Sequence, residues 1–240
     1  MVWLSGLVPS YAHAAEVFAR IGHRCVAGTT LWRRTQVHGE AMRVQVKGVS
    51  LDGGMVNIRG EGWKEFKAGT VFDVAQRWVR DPHTGDMVAQ PGATHIAYTA
   101  VLGDVTAFAP ALWKLAVDKA VPIAARSSVT ADGAAWIWNL VADYFPDSVQ
   151  IVDWYHAAEH LAAAAHALFP DDDAQAARWQ RQMHTPLFLG EAWKIAQNLQ
   201  HAGLENHAAY FHTHYRRMQY QNFREEGYPI GSGAVESGCK

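Results

Sequence analysis

The chain has 240 residues, 49% of them apolar and 18% charged, with a formal net charge of −2. That length can bury a full core, as one large domain or two small ones, and that composition excludes a disordered chain. The near-neutral charge makes the whole chain no obvious binder of polyanions, the two cysteines (Cys25 and Cys239) make neither a disulfide framework nor a four-ligand zinc site, and no apolar run nears the ~18 residues that cross a bilayer.

Val2 to Val8 is apolar and Ala12-His13-Ala14 looks like a cleavage site, but no Lys or Arg precedes the run and Ser5 and Gly6 break it, so a signal peptide is not expected. The expectation is a cytoplasmic protein with reduced cysteines and no membrane contact. Ser10 caps a predicted helix, Tyr11 to Ile21, with Ala14, Val17, Phe18 and Ile21 on one face and Gly22 at its end. Thr30 can cap a second helix, Leu31 to about Val37, which displays Arg33 and Arg34. This outlines a helix-turn-helix; a helical hairpin with solvated arginines fits the same residues. Residues 1–47 carry six basic side chains (Arg20, Arg24, Arg33, Arg34, Arg43, Lys47) against two acidic ones (Glu16, Glu40), a local positive excess.

From Arg43 the pattern becomes strand-like. Val44 and Val46, then Val49 and Leu51 on the opposite face, lead to Asp52, and Met55 to Ile58 continues the strand. Trp63 to Phe72 and Thr94 to Leu102 read as a second and a third strand. Val105 to Ala120 is a helix closed by Pro122, and Ile123 to Thr130 is a fourth strand that delivers Asp132. Ala134 to Phe145 is a helix with Trp136, Leu140 and Tyr144 spaced by four, stopped by Pro146. Val149 to Asp153 is a fifth strand and His156 to Phe169 a helix. After the loop Pro170 to Asp173, residues 174–224 are mostly helical. The order βββαβαβα is that of a ribonuclease H-like α/β core. The predicted organisation is a helical, helix-turn-helix-like segment (1–42), the core (43–169), a helical insertion (170–226) and the start of a helix carrying Glu236 (227–240).

The chemistry lies in the carboxylates. Asp52-Gly53 and Asp132-Gly133 each end an apolar run, and Glu236 sits in the first turn of the last helix. Two carboxylates at adjacent strand ends repel each other, and hard divalent cations remove that penalty. Two such ions ~3.5–4 Å apart can stabilise both oxygens of an in-line phosphoryl displacement. The glycine after each aspartate is expected to leave room for a nucleic-acid backbone. Read alone, Asp52-Gly53 is also a hairpin signal and Asp132 also a helix cap.

A competing motif is His156-Ala-Ala-Glu159-His160, a His-x-x-Glu-His string like that of inverted zinc proteases. The other histidines, among them His212 and His214 on different helix faces, are expected to be satisfied or solvated. Tyr215 to Arg224 interleaves aromatics with Arg216, Arg217 and Arg224, which suits phosphate contact and base stacking.

These motifs carry a resemblance. Val49-Ser-Leu-Asp-Gly-Gly-Met-Val56 with Glu61-Gly-Trp-Lys-Glu-Phe-Lys67 resembles the first acidic block of the ISKra-type insertion-sequence transposases, which are Mutator-like DDE enzymes. Asp132-Gly-Ala-Ala-Trp-Ile-Trp138 resembles the second, and Ile151 to His160 and Pro229 to Ser237 resemble the blocks that follow. The resemblance runs from about Arg43 to Lys240. It implies metal-dependent DNA cleavage and strand transfer by a catalytic, metal-binding triad of Asp52, Asp132 and Glu236 with Mg2+ or Mn2+. Asp153 and His156 would be an accessory acid-x-x-His pair, and DNA (transposon ends and target) the partner, with homo-oligomerisation open. Such proteins carry a longer N-terminal region and continue past the Glu-bearing helix, so the resemblance implies a truncated member: an enzyme, or a non-catalytic DNA-binding remnant.

Overall fold

The computed structural model describes residues 10–22, 25–35, 46–80 and 85–236, with Ile21, Gly22 and Glu236 described by backbone alone. The apolar stretch at Val2, the second helix near Val37, the strand start at Arg43, Cys239 and residues 237–240 of the last helix lie outside the described residues. The chain divides into two compact units, residues 1–45 and 46–240.

In the smaller unit, α1 (Tyr11–Gly22) is capped as expected, the Ser10 hydroxyl accepting the His13 N–H at 3.1 Å. A second helix, α2, covers 28–35. It starts before Thr30, because the Thr30 and Leu31 N–H groups both reach the Ala27 carbonyl, so Thr30 lies in the first turn and not at the cap. Ala14 and Leu31 are buried, whereas Arg33 and Arg34 are exposed.

The larger unit is an α/β structure built on a mixed five-stranded sheet of order β3-β2-β1-β4-β5. The strands are β1 (Val46–Ile58), β2 (Gly62–Arg80), β3 (Met87–Leu102), β4 (Arg126–Ala131) and β5 (Val149–Val152). β1 pairs antiparallel with β2 and parallel with β4; β2 and β3 are antiparallel, β4 and β5 parallel. From Val46 to Leu51, β1 is bonded on both edges and buried throughout. That is why its apolar residues fall on both faces. Beyond Leu51, β1 keeps only β2 and runs on as a hairpin arm to Ile58. Asp52 pairs with Ala68 inside this ladder, so Asp52-Gly53 is not a hairpin turn; the turn comes at Gly60 and Gly62, both at positive φ.

β2 and β3 are longer than their periodicity announces. β2 passes Phe72 to reach Arg80, and β3 begins at Met87 rather than Thr94. From Ala75 on, β2 pairs only with β3, and this part of β2 is exposed, Trp78 at 70%. A two-sided exposed ribbon has no burial to impose alternation. Pro91 lies in β3, opposite Gln76, where an edge strand tolerates a missing N–H.

Asp104 caps α3 (Val105–Asp118), which ends before Ala120 because Ala120 takes φ 61° and leads into a 3₁₀ turn at Val121–Ile123. β4 therefore starts at Arg126, not at Ile123. α4 (Ala135–Tyr144) and α5 (Trp154–Leu168) follow the two parallel strands. α6 (Asp173–Phe188), α7 (Ala192–His201), α8 (Glu205–His214), a 3₁₀ turn at Tyr215–Arg217 and α9 (Tyr220–Glu225) form the helical stretch, and α10 (Gly233–Glu236) packs against β1, β2 and β3. One hydrophobic core joins Val49, Leu51, Val129 and Ile151 of the sheet to Leu187, Leu199 and Phe211 of the helical stretch. No helix among the described residues is long and apolar enough to cross a membrane.

Candidate active site at the carboxyl ends of the parallel strands

Leu51 of β1 is in register with Ala131 of β4, and Ala131 with Val152 of β5. The next residue on each strand is an aspartate: Asp52, Asp132 and Asp153. The alternation of a strand turns Asp52 away from Leu51 and onto the face of Ser50. The Asp153 N–H still donates to the Ala131 carbonyl at 2.8 Å, which keeps the row in step as α5 begins.

The three carboxylates are held differently. Asp52 is half-buried, and its Oδ1 accepts the Gly53 N–H at 2.7 Å. Asp132 is also half-buried; its Oδ1 accepts the Ala134 N–H at 2.8 Å and closes the turn into α4, whose cap position is Ala134 itself. Asp153 is fully buried and caps α5: Oδ1 accepts the Tyr155 and His156 N–H groups at 2.7 and 3.0 Å, and Oδ2 accepts the Ser232 N–H. It therefore ends β5 rather than extending it. Two further bonds, Trp154 N–H to the Ile230 carbonyl at 2.9 Å and the Thr130 hydroxyl to the Pro229 carbonyl at 3.4 Å, stitch residues 229–232 across the same sheet edge. This strap leads directly into α10, where Val235 is buried. The side chain of Glu236 lies outside the described residues.

The helical stretch supplies a wall. Tyr210, His214 and Arg217 follow at i, i+4 and i+7. A Cβ built on Gly133 would meet the Tyr210 ring at 2.6 Å and His214 Nε2 at 3.1 Å. A Cβ on Gly53 would meet Lys67 Nζ at 3.1 Å and Trp136 at 3.3 Å. The space beside both glycines is thus filled by protein side chains, a correction to the room expected there for a nucleic-acid backbone. Lys67 Nζ lies 4.2 Å from the Trp136 ring centre, and the Arg217 guanidinium 4.5 Å from that of Trp138. The two tryptophans of the second acidic block each hold a cation, together worth about 1–4 kcal/mol.

Arg217, expected on the DNA, also donates to Gln150 Oε1 at 2.7 Å and stands 3.3 Å from His214 Nδ1. Arg216 is exposed beside Tyr215, and Arg224 lies over Phe188. His156 Nδ1 is 3.5 Å from Glu159, and the His160 ring stacks on Tyr210 at 3.6 Å. Among the described residues no cluster of three or more His, Cys, Asp or Glu could hold a metal ion. Asp153 is committed to three N–H groups; Asp52 and Asp132 are half-buried carboxylates that offer hard oxygen donors. Such a donor set suits magnesium or manganese rather than zinc.

Burial raises the Tyr210 phenol above its ordinary range, and Asp132, Asp153 and Glu159 add to the shift. Burial also lowers His160, with His156 and His207 adding to it. His214 drops from 6.5 to about 4, through burial first and then Arg217 and His160, against the opposing pull of its bond to the Gly133 backbone and of Asp132. An imidazole expected to be satisfied or solvated is thus a buried neutral prop under the second aspartate, while His212 one face away is exposed. The i, i+4, i+7 stripe was the readable signal for this wall; burial of its middle member was not.

The unfolded chain takes up a proton near pH 6.5 that the folded chain refuses until about pH 4. Stability is complete above the unfolded value and is lost as pH falls through that window, by about 2 kcal/mol between pH 7 and 5. Urea midpoints at the two pH values should show this slope, and His214→Gln should remove most of it. An unchanged slope in the variant would mean that His214 is not the group responsible.

Compared with protein-family models and with curated proteins, the chain matches none.

Proposed function

We propose that the larger unit is a ribonuclease H-like nucleotidyl-transfer domain of the DDE transposase type, cutting and joining DNA strands with Mg2+ or Mn2+. The observation that carries this reading is the aspartate row. Asp52 and Asp132 each directly follow a register pair of the adjacent parallel strands β1 and β4, Leu51 with Ala131, and a strap fixed to the third aspartate carries the helix of Glu236 onto β1. Chain order supports it as well: three antiparallel strands, then two parallel strands added on the other side of β1, each followed by a helix.

Asp52 and Asp132 would hold the ion through their carboxylate oxygens. The bound ion would neutralise charge on the attacking and leaving oxygens of a phosphodiester. Asp132 is kept from rotating by its bond to Ala134 and by the Tyr210–His214 wall behind Gly133. Asp153 positions rather than reacts. The test is nicking of supercoiled plasmid by the purified chain in manganese, with EDTA as control; nicking that survives loss of both aspartates would end this reading.

Arg33 and Arg34, exposed on α2, are assigned to phosphate contacts. On duplex DNA, Arg33→Ala with Arg34→Ala should flatten the slope of log affinity against log salt by roughly 1.8, about 0.9 per contact. An unchanged slope would remove them from the interface.

A further inference from the structure

The larger unit holds a groove of about 750 Å³. One wall is the β2–β3 ribbon around Arg77; the other is Trp154 and Tyr155 at the start of α5, with the strap from Tyr228 to Gly231 and the start of α10. Among the described residues its charged lining is Arg77 and Arg224, with no Asp or Glu. In a chain of net charge −2 that is a local reversal of sign. Neither arginine pairs with a carboxylate among the described residues: Arg77 gives one N–H to the Ala93 carbonyl, and Arg224 lies over Phe188. A guanidinium has five donors, so Arg77 keeps several for another acceptor.

Aromatic rings share the groove. Tyr155 is 65% exposed, although its backbone is fixed by Asp153 and a Gly231 Cβ would come within 3.3 Å of its ring. An exposed ring on a fixed backbone offers a flat face to a planar ligand at little entropic cost. Cations that follow a phosphate chain and rings that stack on bases are what a single strand requires.

We infer that this groove takes a single-stranded segment of DNA, with Arg77 and Arg224 on phosphates and Tyr155 stacked on a base. The inference rests on the nucleotidyl-transfer reading for its choice of ligand: Tyr155 is two residues from Asp153, so one end of the groove lies beside that aspartate.

Binding of a fluorescein-labelled 20-nucleotide oligothymidylate to the full chain, followed by anisotropy in EDTA, tests this without metal or cleavage. Tyr155→Ala should weaken binding about 5- to 150-fold, the range for one stacked base, whereas Tyr155→Phe should retain it. Arg77→Ala with Arg224→Ala should flatten the salt slope by roughly 1.4, about 0.7 per contact on a single strand; Arg77→Lys should restore part of it. Near-UV circular dichroism confirms that each variant is folded. Unchanged affinity in folded Tyr155→Ala and in the double arginine variant overturns the inference, as does tighter binding of oligouridylate than of oligothymidylate. The two proposals fail separately: loss of groove binding leaves plasmid nicking to be judged alone, and absent nicking leaves the anisotropy result standing.

Discussion

Asp52→Asn and Asp132→Asn should each lower metal-dependent strand cleavage by at least about 100-fold, the order of losing one electrostatic stabiliser. Asparagine keeps the side-chain oxygen that accepts the Gly53 N–H in one case and the Ala134 N–H in the other. The turn into α4 and the β1–β2 ladder therefore survive, and what changes is one negative charge. The same substitution has an opposite effect on stability. Adjacent ionised carboxylates repel in the absence of a cation, so either variant should melt no lower, in EDTA, than the parent chain. Magnesium should raise the parent's melting temperature and leave the double variant unmoved. Plasmid nicking and thermal melts, with and without EDTA, check both halves. A variant that loses activity and stability together would point to a structural aspartate, and one that keeps full activity would remove it from the chemistry.

Asp153→Ala should cost about 3 kcal/mol or more. Removing a helix cap costs about 1 kcal/mol, and orphaning a buried N–H about 1–3 kcal/mol more. Here three N–H groups lose their acceptor at once, those of Tyr155, His156 and Ser232. Asp153→Asn should fall between the two, because its oxygen can still cap α5 while its NH2 group faces the Ser232 N–H, donor against donor. Urea denaturation gives the magnitude. Amide exchange gives the location: protection should be lost first at Ser232 and along the strap, ahead of β1 and β4. Uniform loss over the whole unit would show that Asp153 supports the fold generally rather than the strap in particular.

Much of the core was legible locally. The alternation around Val49 and Leu51, the four-residue spacing of Trp136, Leu140 and Tyr144, and the stops at Gly22 and Pro146 announce their elements because periodicity and breakers are written in the segment itself. Where the expectation failed, the cause was a remote partner or a backbone conformation that residue type does not dictate. The outer β2–β3 ribbon carries no alternation because each of its strands pairs only with the other there. Thr30 looked like a cap, but the carbonyl that starts the helix is that of Ala27. Ala120 ended α3 by adopting a left-handed conformation that nothing in its identity demands.

The same division holds at the site. That Asp52 and Asp132 follow buried strands was written in the period of the residues before them. That they are adjacent was not: it depends on β4 pairing in parallel with β1, in a register set by packing on both faces of the sheet. Asp153 read as a strand end from its neighbours alone; its role as the pin of the strap requires Ser232, 79 residues away. Arg217 suits a phosphate contact because it lies next to aromatics; its contacts to Gln150, Trp138 and His214 come only with the fold. Residue types and their spacing fixed which groups could do chemistry. Which of them meet, and which are consumed in holding the others, was decided by tertiary packing, because hydrogen bonds and burial depend on neighbours that the chain brings together only when it folds.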